Sequence, residues 1–148
     1  AGRGELAGRA VIQTYQPGNT TIQFAKQQDY PAFYENEIIQ RKRLNYPPFC
    51  DIISILVQGK TEDIVKSEIS SVFEFVKNSD DSHNNIIKLA HPMPAPIQRI
   101  KGDYRYRILI KVRDADLSLD ILHEINNTHI QKNKNTTMII DINPINMS

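Results

Sequence analysis

The chain has 148 residues, room for one ordinary domain and a short further segment. Hydrophobic residues make up 40% and charged residues 24%, the balance of a chain with a packed core, and no apolar run is long enough to cross a bilayer. With a net charge of +1 and Cys50 as its only cysteine, it has neither a disulfide framework nor a cysteine-based metal site, and any electrostatic footprint must come from local clustering.

The chain opens at Ala1 without methionine or a basic-then-apolar leader, which reads as a piece of a longer cytoplasmic protein. Residues 9–15 lean towards β structure and close at the turn residues Pro17, Gly18 and Asn19. Asn19, Thr20 or Thr21 is placed to cap a helix through Ile22, Phe24 and Ala25. A second helix is expected from Asp29 or Tyr30, with Pro31 in its first turn. It holds Phe33, Tyr34 and Ile38, and carries Arg41, Lys42 and Arg43 where cations suit the helix dipole. Pro47 and Pro48, between Tyr46 and Phe49, end it because they cannot continue the hydrogen-bond ladder.

From Cys50 onward the pattern is regular. Residues 52–57 form an apolar, β-branched strand, and Thr61, Glu62 and Asp63 open a helix. Its Ile64, Val65, Ile69, Val72, Phe73 and Val76 make one apolar stripe. A polar loop over residues 78–85 leads to a short strand at 86–89, then to a proline-rich connection at 92–96. A long strand at 104–113 precedes a helix with Leu117, Ile121, Leu122 and Ile125 on one face, and residues 138–142 close the chain as a strand. Two helices with one stripe each must cover the same sheet face. The expected fold is α+β, a split β-α-β (ferredoxin-like) sandwich with a four-stranded antiparallel sheet, preceded by a strand-helix segment.

The strongest local signal lies in the strand at 104–113. Alternation puts Tyr104, Tyr106, Ile108, Ile110 and Val112 on the core side, and Arg105, Arg107, Leu109, Lys111 and Arg113 on the other. Arg99 and Lys101 precede it in a loop and extend the cationic patch. Cations so spaced suit a phosphate backbone. The plainer alternative is a solvated strand face, although a central strand has no edge to protect. His83, His91, His123 and His129 lack metal-ligand spacing, Asp80 and Asp81 have no acid-base partner, and Cys50 reads as a small buried hydrophobe. No glycine-rich phosphate loop and no catalytic set is visible.

In order and spacing these landmarks resemble the end of the primosomal protein N′ family of replication-restart DNA helicases. The opening Ala1-Gly2-Arg3-Gly4 is similar to the end of helicase motif VI, and residues 8–17 to the last strand of the second motor lobe. Phe33, Tyr34, Glu37, Arg41 and Arg43, then residues 46–49, resemble the family's connecting helix and Pro-Pro signature. Pro92 to Pro96, Arg99, Gly102 and Tyr104-Arg105 resemble its proline-rich segment and strand entry, and residues 141–144 its terminal motif. His91 and Asn143 depart from it, standing where glycine and aspartate are usual.

The resemblance implies three segments: residues 1–19 from the motor lobe, 20–49 connecting, and 50–148 the C-terminal DNA- and partner-binding domain. It implies a parent ATP-dependent 3′-5′ helicase that uses ATP with magnesium, carries zinc in a cysteine-rich insertion, and acts in primosome assembly. This piece alone would hold no cofactor and no catalytic residue, with Arg3 contacting nucleotide only in the intact parent. The implied partners are forked or single-stranded DNA, the acidic tail of single-stranded-DNA-binding protein and other primosome proteins, with no membrane. The helix over residues 117–125 is acidic, with Asp114, Asp116, Asp120 and Glu124 on or beside it, so no tail-binding residue is placed there. Arg99, Lys101, Arg105, Arg107, Lys111 and Arg113 are the expected nucleic-acid contacts. The competing readings are a structural brace for the motor and an acylphosphatase-like hydrolase, which would need an arginine in the phosphate-cradling loop where residues 58–61 offer only Lys60.

Overall fold

A computed structural model describes residues 8, 10–79, 85–130 and 135–145, with side chains for all of these except His129 and Ile130. They fall into two compact units, residues 1–40 and 41–148. In the first, α1 (Thr20–Gln27) is capped by Asn19, whose side chain accepts from the Thr21 and Ile22 amides. The Asp29 side chain accepts from the Ala32 amide at 3.0 Å and starts α2 (Tyr30–Arg43), with Pro31 in the first turn as expected. Neither helix contains a buried residue. The strand expected over residues 9–15 is not formed at residues 10–15, where Val11 and Tyr15 are exposed. A strand needs a neighbour for its ladder, and these residues have none among those described.

The second unit is built on β1 (Asp51–Gly59), α3 (Glu62–Ser79), β2 (Ile86–Leu89), β3 (Met93–Ile100), β4 (Asp103–Val112), α4 (Leu119–Ile125) and β5 (Thr136–Ile142). All strand pairs are antiparallel, in the order β2-β4-β1-β5, and β3 also pairs with β4. β2 aligns with Ile110–Val112 and β3 with residues 103–107, so the two share one edge of β4. The sheet thus has four strand positions, in the order of the expected ferredoxin-like sandwich.

The proline-rich segment is therefore half of an edge strand where a connection was expected. Pro94 and Pro96 are exposed there, and an edge position tolerates a residue that donates no ladder hydrogen bond. The expected face of the last helix also changes. Leu117 falls in a short 3-10 turn (Asp116–Ser118) and is 61% exposed, whereas Leu122 and Ile125 are buried.

The core lies between the sheet and the two helices. Val65, Ile69, Val72, Phe73 and Val76 of α3 meet Ile53, Ile55, Val57, Tyr106, Ile108, Ile110 and Val112, with Leu122 and Ile125 of α4 beside them. Burial of each such side chain contributes about 1.5–3 kcal/mol. Two local devices, one polar and one steric, stand at the ends of the sandwich. Asn85 is buried, donates to the Asp114 carbonyl and Ser118 hydroxyl at 2.7 Å each, and accepts from the Asp114 amide. Gly59 ends β1 where a Cβ would stand 2.7 Å from the Asn135 carbonyl oxygen, so no larger residue fits without a shift.

Candidate nucleic-acid interface

Opposed residues of antiparallel strands share a face, so the register decides which side chains meet on the side of the sheet away from the helices. Gln58 lies opposite Arg105, Leu56 opposite Arg107, Ser54 opposite Leu109, and Ile52 opposite Lys111. β5 adds Thr137, Ile139 and Asp141 to this outer face, β3 adds Met93 opposite Arg107, and β2 adds Lys88 opposite Lys111. β4 is central, as the split β-α-β topology required. The resulting surface is cationic along β4, with Leu56, Met93 and Ile139 (46% exposed) beside it interspersed with Gln58, Ser54, Thr137 and Asp141.

The six expected contacts do not form one ribbon. Arg105 and Arg107 are half-buried on the outer face, and an Arg105 Nη donates to the Ile97 carbonyl at 3.1 Å. Lys111 stands on the same face but is held within the unit. Its ammonium lies 3.5 Å from the Tyr46 ring centroid and donates to the Leu44 carbonyl at 2.9 Å. Ile52, paired with it, is 3% exposed although it faces away from the helices. The segment over residues 44–50 therefore lies against this end of the outer face, which was expected to be open.

Arg99 is on the other side. It opposes Tyr104 in register, and its guanidinium carbon sits 4.7 Å from that ring centroid, on the helix-covered face. An expected loop residue, it belongs to β3 and does not extend the Arg105–Arg107 surface. Lys101 occupies the turn between β3 and β4 and is exposed, and Arg113 is exposed just past the end of β4. Arg3 lies outside the described residues, as do Asp80, Asp81 and His83.

Lys60 and Lys88 join the cationic surface without a local signal in the sequence. Lys60 Nζ lies 2.7 Å from Asp103 Oδ1 and donates to the Lys101 carbonyl at 3.2 Å. Only the pairing of Gly59 with Tyr104 places it beside the β3–β4 turn. The same engagement occupies the one cation that a hydrolase loop between β1 and α3 would have used.

At the helix-side rim, the Tyr106 hydroxyl donates to Glu62 Oε1 at 2.7 Å, and Lys66 lies 2.9 Å from the same oxygen. The Tyr106 hydrogen bond, then that of Lys66, lowers the Glu62 pKa, and the Lys66 pKa is raised chiefly by its bond to Glu62. Burial raises the Cys50 pKa, with Lys111 opposing and Asp51 assisting. Its thiol donates to the Asn45 carbonyl at 2.9 Å. A desolvated thiol of this kind is a packing residue rather than a nucleophile.

Residues 42–145 match the family described as the primosomal protein N C-terminal domain. The chain belongs to this family. A curated relative, the replication restart protein PriA of Chlamydia trachomatis serovar D, is 38% identical over 114 residues, 77% of this chain and 15% of the relative. PriA of Bacillus subtilis strain 168 is 31% identical over 151 residues, 99% of this chain and 18% of the relative. The chain thus spans less than a fifth of the length of these relatives. Among solved structures, the de novo designed protein Foldit4 has a TM-score of 0.49 and 15% identity, covering 66% of this chain and 99% of that one.

Within this primosomal protein N C-terminal domain, the two departures from the expected family pattern have structural roles. His91 stacks on Phe73, with ring centroids 4.9 Å apart, between the two halves of the edge strand. Asn143 has φ 52°, accepts from the Ile52 amide at 2.9 Å, and donates to Asp51 Oδ1 at 2.6 Å. An amide can do both, whereas an ionised aspartate would face Asp51 with a like charge. Among the described residues, no group of three or more His, Cys, Asp or Glu is placed to hold a metal ion. No described helix is long and apolar enough to cross a membrane.

Proposed function

We propose that this chain is the DNA- and partner-docking end of a replication-restart helicase, and that it binds DNA through the outer face of its sheet. The observation that carries the reading is the placement of Arg105 and Arg107 on the helix-free face of a central strand. Alternate residues on a strand stand about 6.6 Å apart. Planar guanidinium groups at that spacing are suited to bidentate contacts with successive phosphate oxygens. Leu56, Leu109 and Met93 surround them and reduce the local screening of each contact. The relatives' role in replication restart supports the same reading.

Forked or single-stranded DNA is the proposed ligand, and single-stranded-DNA-binding protein and other primosome proteins are the proposed partners. An acidic tail suits this cationic face by charge complementarity and does not suit α4, which carries Asp120 and Glu124. ATP hydrolysis, zinc binding and 3′-5′ unwinding are proposed for the longer protein, in which Arg3 would lie near the nucleotide phosphates. The test is DNA binding by the 148-residue chain over a salt series, beside the R105E/R107E variant. Weaker binding with a shallower salt dependence supports the reading. Identical slopes for the two chains would remove the sheet face from it.

A second reading, a brace for the motor, is favoured by one observation: Lys111 fastens residues 44–46 to the sheet. A longer protein lacking residues 50–148 separates the two. A brace loses ATPase activity along with DNA affinity, and a binder loses affinity alone.

A further inference from the structure

Ile100 and Asp103 are paired neighbours, so Lys101 and Gly102 form a two-residue turn between β3 and β4. Both have positive φ, 50° at Lys101 and 86° at Gly102, the signature of the type I′ turn that fits strand twist. Glycine and asparagine are the ordinary occupants of such positions, because a longer side chain gains nothing there to offset the crowding of its Cβ. Among the described non-glycine residues with positive φ, Asn45 and Asn143 follow that rule, and Gln28 caps a helix. Lys101 is the only charged one. A side chain held against its backbone preference directs attention to what its chemistry supplies.

What Lys101 supplies is an uncommitted cation. Among the described residues its ammonium forms no ion pair. Asp103, two residues on, is instead neutralised by Lys60, whose ammonium also binds the Lys101 carbonyl. Lys60 therefore fastens the tip to the turn between β1 and α3, and leaves the Lys101 side chain free. A Cβ on Gly102 would lie 3.8 Å from the Lys60 ammonium, so the fastening runs close against the turn. The tip stands at the same end of the sheet as Arg105.

We propose that Lys101 is a dedicated phosphate contact, presented by the Lys60-fastened tip to the nucleic-acid backbone that crosses the Arg105–Arg107 face. This rests on the reading of that face as a DNA-binding surface and extends it to a point outside the sheet. It separates two residues the sequence grouped together, since Lys101 joins the interface and Arg99, turned onto Tyr104, does not.

The experiment compares K101N, K101R and R105E/R107E with the parent chain, each measured for thermal unfolding and for binding to a short forked DNA with single-stranded arms across a salt series. K101N relieves the turn and removes the charge. It is expected to melt about 2–4 °C higher. Its affinity is expected to fall about fivefold, with the salt slope reduced by about one. K101R keeps the charge and the parent affinity. Parent-like binding by K101N, where the parent binds and R105E/R107E does not, would overturn the proposal while leaving the sheet face intact. A K101N chain that melts below the parent would overturn the claim of backbone strain. A parent chain that fails to bind the forked DNA at all would overturn the reading of the face, and this proposal with it.

Discussion

The two ends of β4 carry the same kind of side chain on the same face, in different surroundings. Near its start, Arg105 and Arg107 stand on the outer face among Gln58, Leu56 and Met93, with Lys60 and Lys101 at the adjoining turn. Near its end, Lys111 is turned into the protein, its ammonium on the Tyr46 ring and bonded to the Leu44 carbonyl. Arg105 also bonds a backbone carbonyl, that of Ile97, but within the sheet's own edge strand, whereas Lys111 holds the segment over residues 44–46; only the first end is proposed to meet a ligand. The lesson is that alternation assigns a charge to a face but does not say whether anything lies over it.

The comparison breaks most visibly if charge reversal fails to separate the two ends. R105E/R107E is expected to weaken DNA binding about 100-fold, or about 2.7 kcal/mol, with a smaller loss of stability, about 1 kcal/mol, from the Arg105 hydrogen bond to the Ile97 carbonyl. Binding isotherms and thermal unfolding measured on the same preparation check this. K111A is expected to do the reverse. Losing the cation–π contact and the charged hydrogen bond lowers stability by about 1–2 kcal/mol. DNA affinity then changes less than about twofold, as one partly screened charge requires. Denaturant unfolding beside a binding titration decides it, and a K111A chain of parent stability with tenfold weaker binding would place Lys111 in the interface after all.

The smallest expected effect is on pH dependence, at the helix-side rim near the start of β4. Glu62 has its pKa lowered by Tyr106 and then Lys66, so its contribution to stability is present above the unfolded-state pKa. That contribution is lost as pH falls through the folded-state value, below about pH 4.3. E62Q cannot titrate, and its stability should fall less steeply than the parent's on acidification. Parallel acid-unfolding curves for the two chains would mean that the Tyr106–Glu62–Lys66 cluster is not coupled to folding.

Much of the second unit was legible in the sequence because its signals are local. The stripe from Val65 to Val76 and the alternation from Tyr104 to Val112 each depend on a period of 3.6 or 2 residues, and burial follows both. The core side of β4 was readable for the same reason. Two local signals misled. Residues 10–15 have β-forming composition but no neighbouring strand among the described residues, and the prolines at 94 and 96, which suggested a loop, fit an exposed edge.

The sequence by itself determined the apolar stripe of α3 and the face on which each β4 side chain stands, since both follow from backbone geometry within one element. Only the tertiary structure decided the rest. Strand register put Arg99 over Tyr104 on the far side and brought Lys60 to the β3–β4 turn, and the packing of residues 44–50 enclosed Lys111. Those outcomes depend on which distant segments lie side by side, a choice made by the summed burial of the whole core rather than by any local pattern.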